Sequence, residues 1–132
     1  ACLATGFPTV VFWPGQDAGA EAMSKRLRMW DGRVRAVRNL PPQRFLKFLT
    51  QTACLVGNSS AGIREGSYLG VPVVNVGTRQ QGRERGPNVR DVGDPAGIYP
   101  ALAEQVAHGP YPSSRLYGDG HAAARIAQVI CG

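Results

Sequence analysis

Short apolar runs alternate along this chain with segments whose apolar residues fall at helical spacing, and that alternation leaves few folds open. Residues 9–13 (TVVFW), 33–38 (RVRAVR), 53–56 (ACLV) and 71–76 (VPVVNV) read as strands, with 88–92 as a shorter fifth. Between them, residues 18–30 place Ala22, Met23, Leu27 and Trp30 on one helical face. Pro41 and Pro42 suit a first helical turn, where a missing N–H costs nothing, ahead of an apolar face of Phe45, Leu46, Phe48 and Leu49. Residues 61–69 read as a helix closed by Gly70. Asp94-Pro95 opens another helix carrying Ile98, Leu102 and Val106, and Asp119 caps a last one with Ala123, Ile126, Ala127 and Ile130 turned inward. Continuous apolar strands between helices predict a parallel sheet covered on both faces. With right-handed crossovers the fold class is α/β, a Rossmann-like doubly wound parallel sheet. At 132 residues a single domain is expected, and the Gly-Pro-Tyr-Pro-Ser-Ser stretch at 109–114 is its one linker-like piece.

Charge and cysteines narrow the function. The net charge of +6 is carried by 13 Arg against 2 Lys, and guanidinium suits bidentate binding of phosphate or carboxylate, although solvated arginines would give the same count. A nucleic-acid surface would need a dense basic stripe with stacking aromatics, whereas these basic residues are scattered and only 8% of the chain is aromatic. No nucleic-acid partner is expected. No apolar run approaches the roughly 20 residues of a membrane span, and no secretory signal pattern is present, so no membrane partner is expected either. Cys2, Cys54 and Cys131 are odd in number and far apart, which points to a reducing compartment, the cytoplasm, and away from zinc and disulfides. His108 and His121 are isolated, so no metal is expected. The opening Ala-Cys-Leu-Ala-Thr-Gly reads as a continuation of something longer.

The chemistry concentrates in CLVGNSSAGIREGSYLGVPVVNVGTRQQGRERG, residues 54–86. In open α/β sheets, ligands sit beyond the carboxyl ends of the strands, at the starts of the following helices. Gly57-Asn58-Ser59-Ser60 occupies such a place. Unpaired helical N–H groups, the helix dipole and the Ser59 and Ser60 hydroxyls together make an anion site suited to phosphate. An ordinary N-cap serine would look the same. Glu65 stands where it could accept from ribose hydroxyls, or pair with an arginine. Arg79, at the next strand's carboxyl end, could grip a diphosphate, with Arg83 and Arg85 further along the loop. Phe45 could stack on a base or pack in the core. Neither GxxxxGK[ST] nor GxGxxG occurs, so nucleoside-triphosphate hydrolysis and plain dinucleotide binding are not signalled.

GNSSAGIRE, followed by GVPVVN, GTRQQGRERG and the late YGDG at 117–120, closely resembles the C-terminal domain of UDP-N-acetylglucosamine 2-epimerases. FWPGQDAG at 12–19 resembles that family's FPNxDAG-type segment, and the wording of the whole is nearer to the hydrolysing branch, which starts sialic-acid-type synthesis. The resemblance implies one half of a two-domain, glycosyltransferase-B-like architecture. Residues 1–132 then read as the C-terminal nucleotide-binding domain of a longer enzyme whose N-terminal domain is missing, a homodimer when intact. It implies Ser59 and Ser60 at the diphosphate of UDP or UDP-GlcNAc, Glu65 at the ribose, Arg79 on the substrate and Phe45 near the uracil, with no cofactor. The implied reaction eliminates UDP anti across C1–C2 to a 2-acetamidoglucal. Water then adds to give N-acetylmannosamine. The family's catalytic carboxylates lie in the other domain and its THRREN-like histidine is missing here, so no catalytic residue is assigned and the chain alone is expected to be inactive. Asp17 fits the motif without a catalytic role, and Gly15-Gln16 replace the usual asparagine before it. A non-catalytic nucleotide- or anion-binding module, a non-hydrolysing epimerase and a glycosyltransferase half are the alternatives.

Overall fold

Each of the five apolar runs overlaps a strand, and every strand pairing is parallel. The computed structural model describes residues 1–14, 19–30 and 32–132, so Asp17 and half of the FWPGQDAG segment, residues 15–18, lie outside the described residues. Two compact units emerge, Ala1–Lys47 and Phe48–Gly132.

In the first unit, β1 (Val10–Phe12) pairs with β2 (Arg35–Val37) in the register Val10↔Arg35 to Phe12↔Val37. Helix α1 (Ala20–Arg28) precedes β2 and carries an exposed Glu21–Lys25 ion pair at 3.3 Å. Its expected apolar face is only partly covered, because Leu27 is half-buried while Met23 and Trp30 are exposed. Helix α2 (Pro42–Thr50) begins in this unit with a proline at its first position, as the sequence predicts.

The second unit is built on β3 (Leu55–Gly57), β4 (Val73–Val76) and β5 (Val89–Val92), in the order β3-β4-β5. Registers Gly57↔Asn75 and Asn75↔Asp91 align the carboxyl ends of all three strands along one edge. Helices α3 (Ser60–Ile63) and α4 (Glu65–Leu69) connect β3 to β4, and α5 (Ile98–His108) follows β5 and contacts β4 and β5. Ile63, Val71, Val73, Val74, Ala101 and Leu102 are buried and form the core. Parallel strands alternating with helices define a Rossmann-like α/β fold.

The helix expected over 61–69 is interrupted at Arg64 (φ −89°, ψ −73°), which separates α3 from α4. Gly62 lets this helical segment lie directly on the sheet, since a Cβ there would meet Val73 Cγ1 at 2.9 Å. Gly70 closes α4 in the left-handed region at φ 68°. The N–H of Val71 reaches the Gly66 carbonyl at 2.9 Å and that of Gly70 reaches Ser67 at 3.4 Å, the two bonds of a Schellman cap. A Cβ on Gly70 would also collide with the Tyr111 carbonyl oxygen. Gly70→Ala combines left-handed strain with that collision, and about 2–3 kcal/mol of stability should be lost. A urea titration checks it, and an unchanged midpoint would contradict this account of the turn.

Two expectations change. Residues 109–114 are not a linker: Tyr111 N–H donates to the Gly70 carbonyl at 2.8 Å, Ser114 N–H to Ser67 at 2.9 Å, and Ser113 Oγ to Tyr68 at 2.6 Å. Local composition reads as a linker because the acceptors are backbone carbonyls more than forty residues earlier. The last helix, α6 (Ala122–Cys131), starts later than expected and does not turn its apolar residues inward, for Ile126, Val129 and Ile130 are 58%, 83% and 77% exposed. Asp119 accepts the His121 N–H and holds the Arg125 guanidinium at 2.5 and 2.9 Å rather than capping the helix. The Arg125 bonds first, and then the His121 N–H, hold the Asp119 carboxyl below its usual range.

Candidate anion site at the carboxyl edge of the sheet

At the end of β3 the chain turns through Asn58 and Ser59 into α3. Ser59 is extended (φ −74°, ψ 141°), and its Oγ accepts the Ala61 N–H at 3.3 Å, the geometry of an N-cap. The Ser59 carbonyl takes the Gly62 N–H at 3.2 Å. Two of the four amides at 59–62 are therefore satisfied within the turn. The N–H groups of Ser59 and Ser60 have no acceptor among the described residues, and the Ser60 hydroxyl makes no hydrogen bond among them either. The cap uses one hydroxyl lone pair and leaves two amides and two hydroxyl donors.

Glu65, at the first position of α4, is half-buried, and its Oε2 is enclosed without a hydrogen-bond partner among the described residues. A carboxylate oxygen kept from water without a donor is unfavourable.

Arg79 follows β4 and is exposed. Its neighbour Gln80, only 4% exposed, donates from Nε2 to the Asn58 carbonyl at 2.8 Å and ties the arginine loop to the serine turn. That bond brings the Arg79 segment beside Ser59. Sequence reasoning passed over Gln80 because its acceptor is a main-chain carbonyl 22 residues away, which no motif encodes. Its Oε1 is a second buried acceptor without a partner among the described residues. Phe45 lies in the first unit, with its ring edge-on to Phe12 at 5.3 Å and 81°. That is the packing role; stacking on a base remains a proposal.

Asn75 and Asp91 share one row of the sheet, and Asn75 Nδ2 donates to Asp91 Oδ1 at 2.6 Å. Arg85 Nε donates to both Asp91 oxygens, at 3.0 and 3.2 Å. Partial burial opposes ionisation of Asp91, but the bonds from Asn75 and Arg85 and the charge of Arg85 outweigh it and hold the carboxyl below its ordinary value of 3.8. A depressed pKa gives stabilisation that is complete above the ordinary value and lost as pH falls through the folded one. The Asp91–Arg85 pair should therefore open only below about pH 4, and Asn75→Ala should move the opening upward. Carboxyl NMR titration of Asp91 checks this, and a midpoint unmoved by Asn75→Ala would refute it.

Among the described residues, no cluster of three or more His, Cys, Asp or Glu side chains could hold a metal ion, and no helix is long and apolar enough to cross a membrane. None of Cys2, Cys54 and Cys131 is in a disulfide among the described residues.

Fold and site together define a Rossmann-like α/β protein with a capped serine turn and an arginine loop side by side at the carboxyl edge of its parallel sheet. The chain belongs to the UDP-N-acetylglucosamine 2-epimerase family, whose model matches residues 2–131. It is 32% identical, over 98% of its length, to the UDP-N,N′-diacetylbacillosamine 2-epimerase (hydrolyzing) of Legionella pneumophila. To the UDP-N-acetylglucosamine 2-epimerase of Neisseria meningitidis it is 29% identical over 96% of its length. A segment of 53 residues, 40% of the chain, is 40% identical to 14% of the GDP/UDP-N,N′-diacetylbacillosamine 2-epimerase (hydrolyzing) of Campylobacter jejuni. The chain spans about a third (35%) of the length of the first two relatives.

Proposed function

We propose that this chain binds the UDP moiety of a UDP-sugar for a hydrolysing UDP-N-acetylglucosamine 2-epimerase. Glu65 carries the reading: its buried, unpartnered Oε2 sits in the first turn of α4, where a ribose hydroxyl would supply the missing donor. The free amides and hydroxyls of Ser59 and Ser60 take the diphosphate, Arg79 adds a guanidinium, and Phe45 borders the uracil. The reaction on this reading eliminates UDP anti across C1–C2 and adds water to the resulting glycal, releasing N-acetylmannosamine. Negative charge grows on the diphosphate as C1–O breaks, and donors already in place favour that state over the ground state. The protein then works with a second domain that supplies the acids and bases, as a homodimer in the cytoplasm.

The Legionella relative favours a second substrate reading, UDP-N,N′-diacetylbacillosamine, with the same leaving group and the same role for these residues. Calorimetry of the chain with UDP, after circular dichroism has shown it folded, tests the shared part. Binding is expected, weakened about fivefold to tenfold by Ser60→Ala, the effect of one hydrogen bond. A folded chain that gives no heat with UDP would overturn the proposal. Assaying the full-length protein with each UDP-sugar, and identifying the free sugar released, decides between the substrates.

A further inference from the structure

Beside the serine turn, Arg64, Gly82, Arg83, Glu84 and Tyr117 line an open cleft of about 370 Å³. Arg64 stands at the break between α3 and α4, and Arg83 on the arginine loop; both are exposed, and among the described residues neither guanidinium has an ion-pair or side-chain hydrogen-bond partner. Other arginines of this unit are neutralised: Arg85 by Asp91, Arg90 by Glu104 and Arg125 by Asp119. The one carboxylate on the cleft, Glu84, is in no ion pair among the described residues, so the lining carries a net positive charge.

The loop that presents Arg83 is fixed from outside. Arg85 donates to the Arg83 carbonyl, and Arg85 is itself held by Asp91, which is held by the buried Asn75. Tyr117 reaches across 33 residues and donates its hydroxyl to the Glu84 carbonyl at 2.7 Å. Successive carbonyls of the loop are thus pinned by two independent donors, and its backbone needs little further ordering to receive a ligand.

We propose that Arg64 and Arg83 form an anion-binding site for a phosphate-bearing small molecule, with Tyr117 as the residue that positions the loop. Two guanidinium forks match the three free oxygens of a phosphate better than the two of a carboxylate. The site shares no residue with the one proposed for UDP: it is built from the side chains of residues 64 and 83, whereas the UDP reading uses Ser59, Ser60, Glu65 and Arg79. Tyr117 belongs to the YGDG motif, which the epimerase reading leaves without a task.

The test is an NMR titration of the chain with inorganic phosphate, and separately with acetate, following the arginine Nε–H signals with and without saturating UDP. Phosphate should shift Arg64 and Arg83 first, more strongly than acetate, and should still do so with UDP bound. Arg64→Gln and Arg83→Gln should each weaken phosphate binding at least tenfold, Tyr117→Phe about threefold, and Arg33→Gln not at all. All four positions lie at the surface, so their thermal midpoints should stay close to the parent's. Equal shifts at every arginine, parent-like binding by Arg64→Gln and Arg83→Gln, or loss of the phosphate response under UDP would each overturn the proposal. Stronger shifts with acetate would overturn its phosphate class. The readout at Arg64 and Arg83 does not depend on UDP binding, so failure of the epimerase reading and failure of this one are distinguishable.

Discussion

Asn88→Ala should lower stability by about 3–5 kcal/mol, a large share of the roughly 5–15 kcal/mol available to a domain of this size. Asn88 is 1% exposed and joins three elements at once. Its Oδ1 accepts from Ser67 Oγ at 2.8 Å, while its Nδ2 donates to the Val71 carbonyl at 2.9 Å and the Gly62 carbonyl at 3.4 Å. Its own carbonyl accepts from Gln105 Nε2 at 2.7 Å; the same nitrogen also serves Val73, and Tyr111 completes the glutamine at 2.6 Å. Truncation strands a buried Ser67 hydroxyl and leaves a void at the junction of α4, β4 and β5. Stranded donors and voids both cost more than a lost surface contact. Urea denaturation measures the loss. The double variant Ser67→Ala/Asn88→Ala should lose less than the two singles combined, because the stranded hydroxyl is gone. A loss below about 1 kcal/mol for Asn88→Ala would mean that water replaces the side chain and the junction is not closed.

On the proposed elimination of UDP, Arg79→Ala in the full-length protein should reduce kcat about a hundredfold to a thousandfold, the usual scale for removing one donor to a developing oxyanion. On that reading KM should change much less, because the charge on a leaving diphosphate would grow only as the bond breaks. Arg79→Lys should recover part of the loss, restoring charge without the bidentate fork. Measuring UDP release against UDP-sugar concentration separates the two constants. A raised KM with unchanged kcat would make Arg79 a uniform substrate contact and remove it from leaving-group stabilisation.

The site was legible where chemistry is local and hidden where it is not. Ser59 could be placed from sequence because capping joins residues two apart, and Gly70 because a left-handed closure suits glycine. Gln80, which fixes the arginine loop to the serine turn, could not be placed. Nor could the line from Asn75 through Asp91 to Arg85, since it depends on a register between strands that sequence spacing leaves open. The unpaired N–H groups of the turn looked equally available in the sequence, yet the structure uses those of Ala61 and Gly62 internally.

Amino-acid order alone determined the α/β class, all five strands and the positions of the main helices. Each of those follows from side-chain periodicity and backbone preference within one short segment. Tertiary structure alone decided the break at Arg64, the fastening of residues 109–114 to α4, the exposure of the α6 apolar face and the pairing of Arg64 with Arg83 across one cleft. These depend on contacts between residues distant in the chain, where a hydrogen bond to a main-chain carbonyl, or the lack of a partner, leaves no mark on local composition.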